Sequence, residues 1–452
     1  MKLKTILAGA LALGFTSSAM AQTTDITITG ATAFRQATLQ AIYNAYNSIN
    51  NGLGNNFNVA HNTAAEGSNN LTQLLKSDRT IFVGTFPGIA GTTTIRTSFN
   101  GSTDGLNAIA GNSTPTFYKA QSLPVGITSS FIGTGTETLR PKFSFSDVYQ
   151  STSPVNNEVL NPVGFSSVGV VTFAMIANEG APANLTNTTI QQCRALWAQG
   201  VQPVSLFTGN TNDTSYIFAT GRNDGSGTRS AYLTEWTYGV ANTVQQYVAA
   251  LNGTTSNSIT AITLVPVGAN LTNGAVYSTG RSSDASTLWG NTAVGNGGYS
   301  SSSSLGTLMG LTSQSVTVYN GVNSNALLRN QPITLLTWLS TSDSRGAATA
   351  GARILAFNGE KVTPLSSSDT NNYNLSGFNQ ADFFKIAKGA YSAWSYQHLY
   401  YHGSLNANET TWYDSMKATY LPAGLQQTAN GLTLGDMQVS RPDDGFPIVA
   451  PL

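Results

Sequence analysis

The segment Gly221-Arg222-Asn223-Asp224-Gly225-Ser226-Gly227-Thr228 joins a fixed positive charge to a glycine-rich loop that leads into a helix. That combination can hold an oxyanion. Asp224 and Gly225 mark a turn, Ser226 is a good N-cap, and Tyr232, Trp236 and Val240 follow at helical spacing. Such a loop carries free backbone N–H groups at the positive end of the helix dipole, with the Arg222 guanidinium beside them. Asp224 is placed to hold that guanidinium from behind. A tight surface turn would use the same Asp-Gly-Ser-Gly residues, so the neighbouring elements must decide.

Two further segments have the same character. The alternation Asp25-Ile26-Thr27-Ile28-Thr29 reads as a strand, and Gly30-Ala31-Thr32-Ala33-Phe34-Arg35 then opens a helix with Phe34, Ile42, Tyr46 and Ile49 on one face. Glu66-Gly67-Ser68-Asn69-Asn70 leads into Leu71, Leu74 and Leu75, followed by the apolar strand Ile81-Phe82-Val83-Gly84-Thr85. Each unit is strand, turn and helix, with glycine or a small hydroxyl residue at the turn.

These units resemble the periplasmic phosphate-binding proteins of ABC transporters, within the type II solute-binding fold. Arg222 to Thr228 carries that family's Arg-x-Asp-Gly-Ser-Gly-Thr loop without a gap, while Thr29 to Phe34 is a looser match to its opening Thr-Gly-Ala segment. Gly67-Ser68 lies where the second phosphate turn is expected. Val168 to Met175 resembles the strand entering the second lobe, the segment around Asn184, Ile190, Leu196 and Trp197 the helix before a family Trp, and Gly351 to Gly359 the return region. The resemblance implies an α/β fold of two lobes with an interlobe cleft, binding phosphate or a related oxyanion and handing it to an ABC permease. It implies ligand contacts from Thr32, Ala33, Gly67, Ser68, Thr85, Arg222, Asp224, Ser226, Gly227 and Thr228, and no cofactor. One departure stands out: where the family ends its third strand on an Asp that accepts a proton from the ligand, this chain reads Val83-Gly84-Thr85-Phe86-Pro87. Without an acceptor-only carboxylate a ligand hydroxyl would be left unpaired, which leaves phosphate esters and other oxyanions open.

Met1 to Lys4 is basic, Ile6 to Phe15 apolar and Ala19-Met20-Ala21 a small-residue cleavage pattern, so residues 1–21 read as a signal peptide cut after Ala21. The apolar run is too short to span a bilayer, no later stretch is long and apolar enough, and no cysteine follows the run to carry a lipid. A periplasmic or secreted monomer is expected. Only 9% of residues are charged, and without Lys2 and Lys4 there are 19 basic against 21 acidic ones, which argues against nucleic acid as partner. Cys193 is the sole cysteine and sits between Ile190 and Leu196 at helical intervals, as a small buried apolar residue would. Composition divides the mature chain into 22–100 (first lobe), 101–165 (an insertion near the hinge, rich in Ser, Thr, Gly and Pro), 166–340 (second lobe) and 341–452 (return to the first lobe and a C-terminal extension). The second lobe includes Val244, Tyr247, Val248 and Leu251 at helical spacing and the strand Ile259 to Val265. Gly297 to Ser304 is another glycine-serine helix entry, either a plain N-cap or a further wall of the cleft.

Support for catalysis is thin. The histidines are His61, His398 and His402, and there is no Gly-x-Ser-x-Gly elbow, His-Glu-x-x-His helix or phosphate loop ending in Gly-Lys-Ser/Thr. His398 and His402 could share a helical face as metal ligands, but the aromatic residues around them argue for packing, so no metal site is expected. Asp443-Asp444-Gly445 reads as a turn. Asp224 and Ser226 would suit a phosphatase only with metal ligands that the sequence does not supply. The competing non-enzymatic reading is a secreted structural or adhesive protein on the same fold, favoured by the long Ser/Thr/Asn loops and by Ala390 to Trp394.

Overall fold

The computed structural model describes residues 23–49, 57–62, 70–121, 123, 126–129, 135–251, 259–264, 270–271, 296–312, 315–319, 328 and 330–450. The leader 1–21 and the turn residues Gly67 and Ser68 lie outside the described residues.

The first half begins with β1 (Thr23–Gly30), α1 (Arg35–Ser48), β2 (Phe57–His61), β3 (Arg79–Gly84), β4 (Thr92–Phe99), α2 (Ser102–Ile109) and β5 (Phe143–Ser146). β6 (Ser167–Ala177) then crosses into the second half, which holds α3 (Ile190–Gln199), β7 (Tyr216–Ala219), α4 (Gly227–Glu235), β8 (Tyr247–Leu251), β9 (Ile259–Leu264), α5 (Ser302–Leu308), β10 (Ser315–Tyr319), β11 (Gln331–Ser340), α6 (Thr341–Thr349) and β12 (Arg353–Phe357). After α7 (Gln380–Ala387), β13 (Trp394–Tyr401) returns to the first half, which closes with α8 (Ala407–Ser415) and α9 (Leu421–Thr428).

One mixed sheet runs through both halves, in the order β8-β9-β10-β11-β6-β13-β5-β1-β4-β3-β2, ending at the short strand Gly126–Ser129. β1 is parallel to β4 and to β5, whereas β3 runs antiparallel to both β4 and β2. The halves are joined through β6 and β13, which pair antiparallel with each other; β6 then goes on to β11, and β13 to β5. Every residue of β6 is buried, which is why Ser167–Ala177 is a run of apolar and small residues with no polar face. This is the two-lobed α/β arrangement expected from the sequence. One apolar core packs α1, α8 and α9 on the first-half strands, and another packs α5 and α6 on the second-half strands. The largest core spans the two halves, bringing Ala33, Leu106 and Ile109 into one cluster with Tyr232 and Trp236. Cys193 is buried in that cluster, and burial pushes its thiol up to about 12.

Two expectations change, and the less favoured alternative for His398 and His402 drops out. Tyr247–Leu251 is a strand paired with Ile259–Leu264, not a helix; a short apolar run fits either period, and its β-branched and aromatic residues found a strand partner. His398 lies on β13 with its Nδ1 2.8 Å from Ser166 Oγ, so it does not share a helical face with His402. Residues 101–165, set apart by composition, supply α2 and β5, and β5 sits inside the sheet between β1 and β13. Its sequence Phe-Ser-Phe-Ser is short and half polar, yet all four residues are buried.

Candidate functional site

The Arg222 loop connects β7 to α4. Ser226 takes the N-cap position with extended φ and ψ, but its hydroxyl makes no capping bond, is buried and has no partner among the described residues. The amides of Gly227, Thr228 and Arg229 open the helix and have no carbonyl within it to pair with. Behind the loop lies the fully buried Gln246. Its Nε2 donates to the carbonyls of Arg222 and Gly297, and its Oε1 accepts from Trp197 Nε1 and Tyr232 Oη.

Arg222 is 1% exposed, and its guanidinium is held by the segment that leads into α5. Nε donates to the Tyr299 carbonyl at 3.0 Å, one terminal nitrogen to the Ser300 carbonyl at 2.8 Å and the other to Ser302 Oγ. The glycine-serine entry Gly297 to Ser304 is therefore a wall of the site. The role given to Asp224 is corrected: it is exposed, and main-chain carbonyls orient the guanidinium instead. Their selection is physical, since a carboxylate in contact would neutralise the charge that the loop offers. Burial lowers the Arg222 pKa, opposed by the charges of Asp343, Asp147, Tyr232 and Asp104.

Against this loop stands the first half of the molecule. β4 ends at Phe99, and Gly101-Ser102 opens α2; Gly101 N donates to the Gly30 carbonyl, and Asp104 N to the Gly225 carbonyl. β5 ends at Ser146, and Asp147 follows. Ser102 Oγ donates to Asp147 Oδ1, Asp147 N donates back to Ser102 Oγ at 3.2 Å, and Thr228 Oγ1 of the second half reaches Asp147 Oδ2 at 3.4 Å. Thr103 Oγ1 and Ser230 Oγ meet across the same seam at 3.4 Å. The approach is close because two glycines permit it. A β-carbon on Gly227 would collide with Asp147 and Ser102, and one on Gly225 with the Asp104 carboxylate.

Asp147 is fully buried, and burial pushes its carboxyl up, against the pull of Ser102, its own N–H, Arg222 and Thr228. Asp104 is pushed up to about 6, first by burial and then by Asp224, with Arg222 opposing.

The expected contacts separate clearly. Arg222, Ser226, Gly227 and Thr228 are brought together. Thr32 and Ala33 lie in the turn Thr32–Phe34 after β1, and since Gly30 pairs with Phe145, Thr32 and Asp147 leave adjacent strands at the same edge. Thr85 is not part of the site. It follows β3, which runs against β4, so it is exposed at the opposite end of the sheet, about 25 Å away at ~3.3 Å per residue along β1.

The same topology finds the carboxylate that seemed to be missing. The strand that lies parallel beside β1 and ends at the seam is β5, not β3, and the residue after it is Asp147. On the other side of β1 the parallel strand is β4, and its turn is Gly101-Ser102. Sequence reading missed Ser102, Asp104 and Asp147. The signals were present in Asn100-Gly101-Ser102-Thr103-Asp104, a helix entry after the strand Thr92–Phe99, and in Phe143-Ser144-Phe145-Ser146-Asp147.

No protein-family model matches the chain, and no curated protein does. Among solved structures it is similar to an ABC-type phosphate transport receptor from Vibrio cholerae, at 12% identity over 90% of this chain and 99% of that one, with a TM-score of 0.42. It is also similar to a putative phosphate ABC transporter substrate-binding protein with bound phosphate from Clostridium perfringens, at 10% identity over 91% and 99%, with a TM-score of 0.40. A phosphate binding protein of Planctomyces limnophilus follows, described as a possible one, at 10% identity over 90% and 91%, with a TM-score of 0.33. Likeness of this degree leaves the chemistry of the seam to be decided by its own residues.

Proposed function

We propose that this protein is an exported solute-binding protein that takes a phosphate-like oxyanion between its two halves and delivers it for ABC-type uptake. The observation that carries the reading is the convergence on Asp147 of groups from both halves: Ser102 from the first, Thr228 and the start of α4 from the second, with Arg222 close enough to act on its charge. Helix-start amides, hydroxyls and a guanidinium favour an anion. An acceptor-only carboxylate among them favours an anion that carries a hydrogen, so hydrogen phosphate fits where sulfate does not. Contacts made from both halves stabilise the shut form by differential binding, with β6 and β13 as the strands about which the halves would part. The export part of the reading rests on the leader 1–21, and no helix among the described residues is long and apolar enough to cross a membrane.

Titration calorimetry of the mature chain with phosphate, sulfate and phosphate esters tests the reading, with Arg222→Ala as control. Phosphate is expected to bind, sulfate to bind at least a hundredfold more weakly, and the variant to bind neither. A mature chain that takes up no oxyanion would reject the reading. The exposed apolar side chains of Val159, Val163, Phe165 and Phe446 favour the second reading, a secreted adhesive protein on the same fold. Retention of the mature chain by cell surfaces, lost when Val163 and Phe165 are changed to Ser, would support that alternative.

A further inference from the structure

We propose that Gln397 is a specificity-determining residue of the oxyanion site, reading a second ligand hydroxyl beside Asp147 and so selecting an oxyanion that carries two hydrogens, of the dihydrogen phosphate type. This rests on the oxyanion reading above and adds a residue outside every motif of the sequence.

Gln397 lies in β13, one of the two strands shared by the halves. It is 0% exposed, and neither its Nε2 nor its Oε1 has a partner among the described residues. An unpaired primary amide in a core is a costly choice, because its donors and its acceptor are all taken from water without return. Packing does not call for it. The ring of Phe34 and Leu425 fill the space beside it over Gly169, the residue that Gln397 faces on β6. Phe145 and Leu399 form the next cross-strand pair but one on β5. A methionine would fill the same volume without leaving a polar group unpaired.

Its position explains the amide. The register of β13 against β5 runs from Tyr401 opposite Phe143 to His398 opposite Ser146. One step further along β13 is Gln397, and one step further along β5 is Asp147. Phe34, on the other flank, ends the turn that holds Thr32 and Ala33. Gln397 therefore lies one strand over from Asp147, with the Thr32–Phe34 turn beside it.

The chemistry follows from what each group can do. An ionised Asp147 only accepts, so it uses one ligand O–H; the Gln397 Oε1 accepts a second, and its Nε2 donates to a ligand oxygen. Charge points the same way. Arg222 already feels the carboxylates of Asp343, Asp147 and Asp104, so a singly charged ligand is accommodated more easily than a doubly charged one. Sulfate has no hydrogen to offer either acceptor.

The test uses the mature full-length chain and two variants, Gln397→Met and Gln397→Glu, with inorganic phosphate and sulfate as probes. Calorimetry is expected to show phosphate affinity reduced tenfold to a hundredfold by Gln397→Met and further by Gln397→Glu, which adds a repelling charge. Without ligand, Gln397→Met is expected to melt at or above the wild-type temperature, because it removes an unpaired amide. Gln397→Met that binds phosphate as the wild type does would overturn the role of Gln397 and leave the oxyanion reading standing. So would a Met variant that melts lower than the wild type or fails to fold, since the amide would then be a structural group. A wild type that binds phosphate no better than sulfate overturns the role of Gln397 and the preference for a hydrogen-bearing anion, and one that binds neither overturns the oxyanion reading as well.

Discussion

The Asp147 carboxylate occupies the space that a β-carbon on Gly227 would need, so the residue that opens α4 is glycine because a carboxylate from the other half lies against it. Gly227→Ala must push Asp147 and Ser102 away, and both are fully buried at the contact between α2 and α4. Overpacking of this kind costs about 1–3 kcal/mol. The expected result is a melting temperature several degrees lower and phosphate binding lost in calorimetry. Gly346→Ala serves as control: nothing lies within 4 Å of its β-carbon, and a helical position gains up to about 1 kcal/mol from alanine. Equal stability and binding in the two variants would show that the halves do not meet at Gly227 in solution.

Ser102 and Thr85 give opposite expectations, and the contrast separates the topology from the linear reading of the chain. Ser102→Ala removes the donor to Asp147 Oδ1 and leaves that buried carboxylate short of a partner. A drop in phosphate affinity of about tenfold or more is expected, the size of one hydrogen bond to a charged group. Thr85→Val, at the far end of the sheet, should leave affinity unchanged. The reverse outcome would mean that the third strand of the site is β3 after all.

Strand direction is what the sequence could not show. The Arg222 loop, the opening of α1 after β1 and the long strand β6 were legible because each has a local cause: glycine at a close approach, an amphipathic period, an unbroken apolar run. Ile81-Phe82-Val83 reads as a strand with equal clarity, and it is one, but its antiparallel pairing with β4 is a long-range fact. Matching it to the family's third strand placed Thr85 in the site and left the carboxylate unaccounted for. β5 was hidden for the opposite reason. Its alternating Phe and Ser look like a solvent-facing edge, yet β1 and β13 pair with both of its edges and α2 packs against Ser144, so the serines are buried as well. Gln397 had no signal at all, since a lone glutamine in an aromatic strand has meaning only once its lack of partners is known.

Asp104 sets a pH dependence with a definite sign. Its folded pKa is about 6, raised first by burial and then by Asp224, against an ordinary value near 3.9 in the unfolded chain. Between pH 4 and pH 6 the folded protein therefore holds more protons, and stability falls as pH rises through that window. The effect is on the order of 2 kcal/mol for a shift of this size. Asp104→Asn removes the titration while keeping the shape. Urea midpoints of wild type and variant should coincide near pH 4 and diverge by pH 7, with the variant the more stable. Parallel profiles across that range would place Asp104 in water and not at the seam.

Arg222 has a structural task that its charge alone does not describe. Three acceptors, the carbonyls of Tyr299 and Ser300 and the hydroxyl of Ser302, converge on different nitrogens of one planar group. A lysine keeps the charge but offers a single ammonium on a flexible stem, which cannot reach all three at once. Arg222→Lys should therefore lose at least one hydrogen bond made by a charged group, at a cost of about 1.5–3 kcal/mol. It should also loosen the Gly297 to Ser302 wall together with the loop. Thermal unfolding without ligand is expected to fall by several degrees, and phosphate affinity by more than a hundredfold although the formal charge is unchanged. Full affinity in the lysine variant would mean that the site needs only a positive charge, and that the three bonds to the α5 entry are incidental to it.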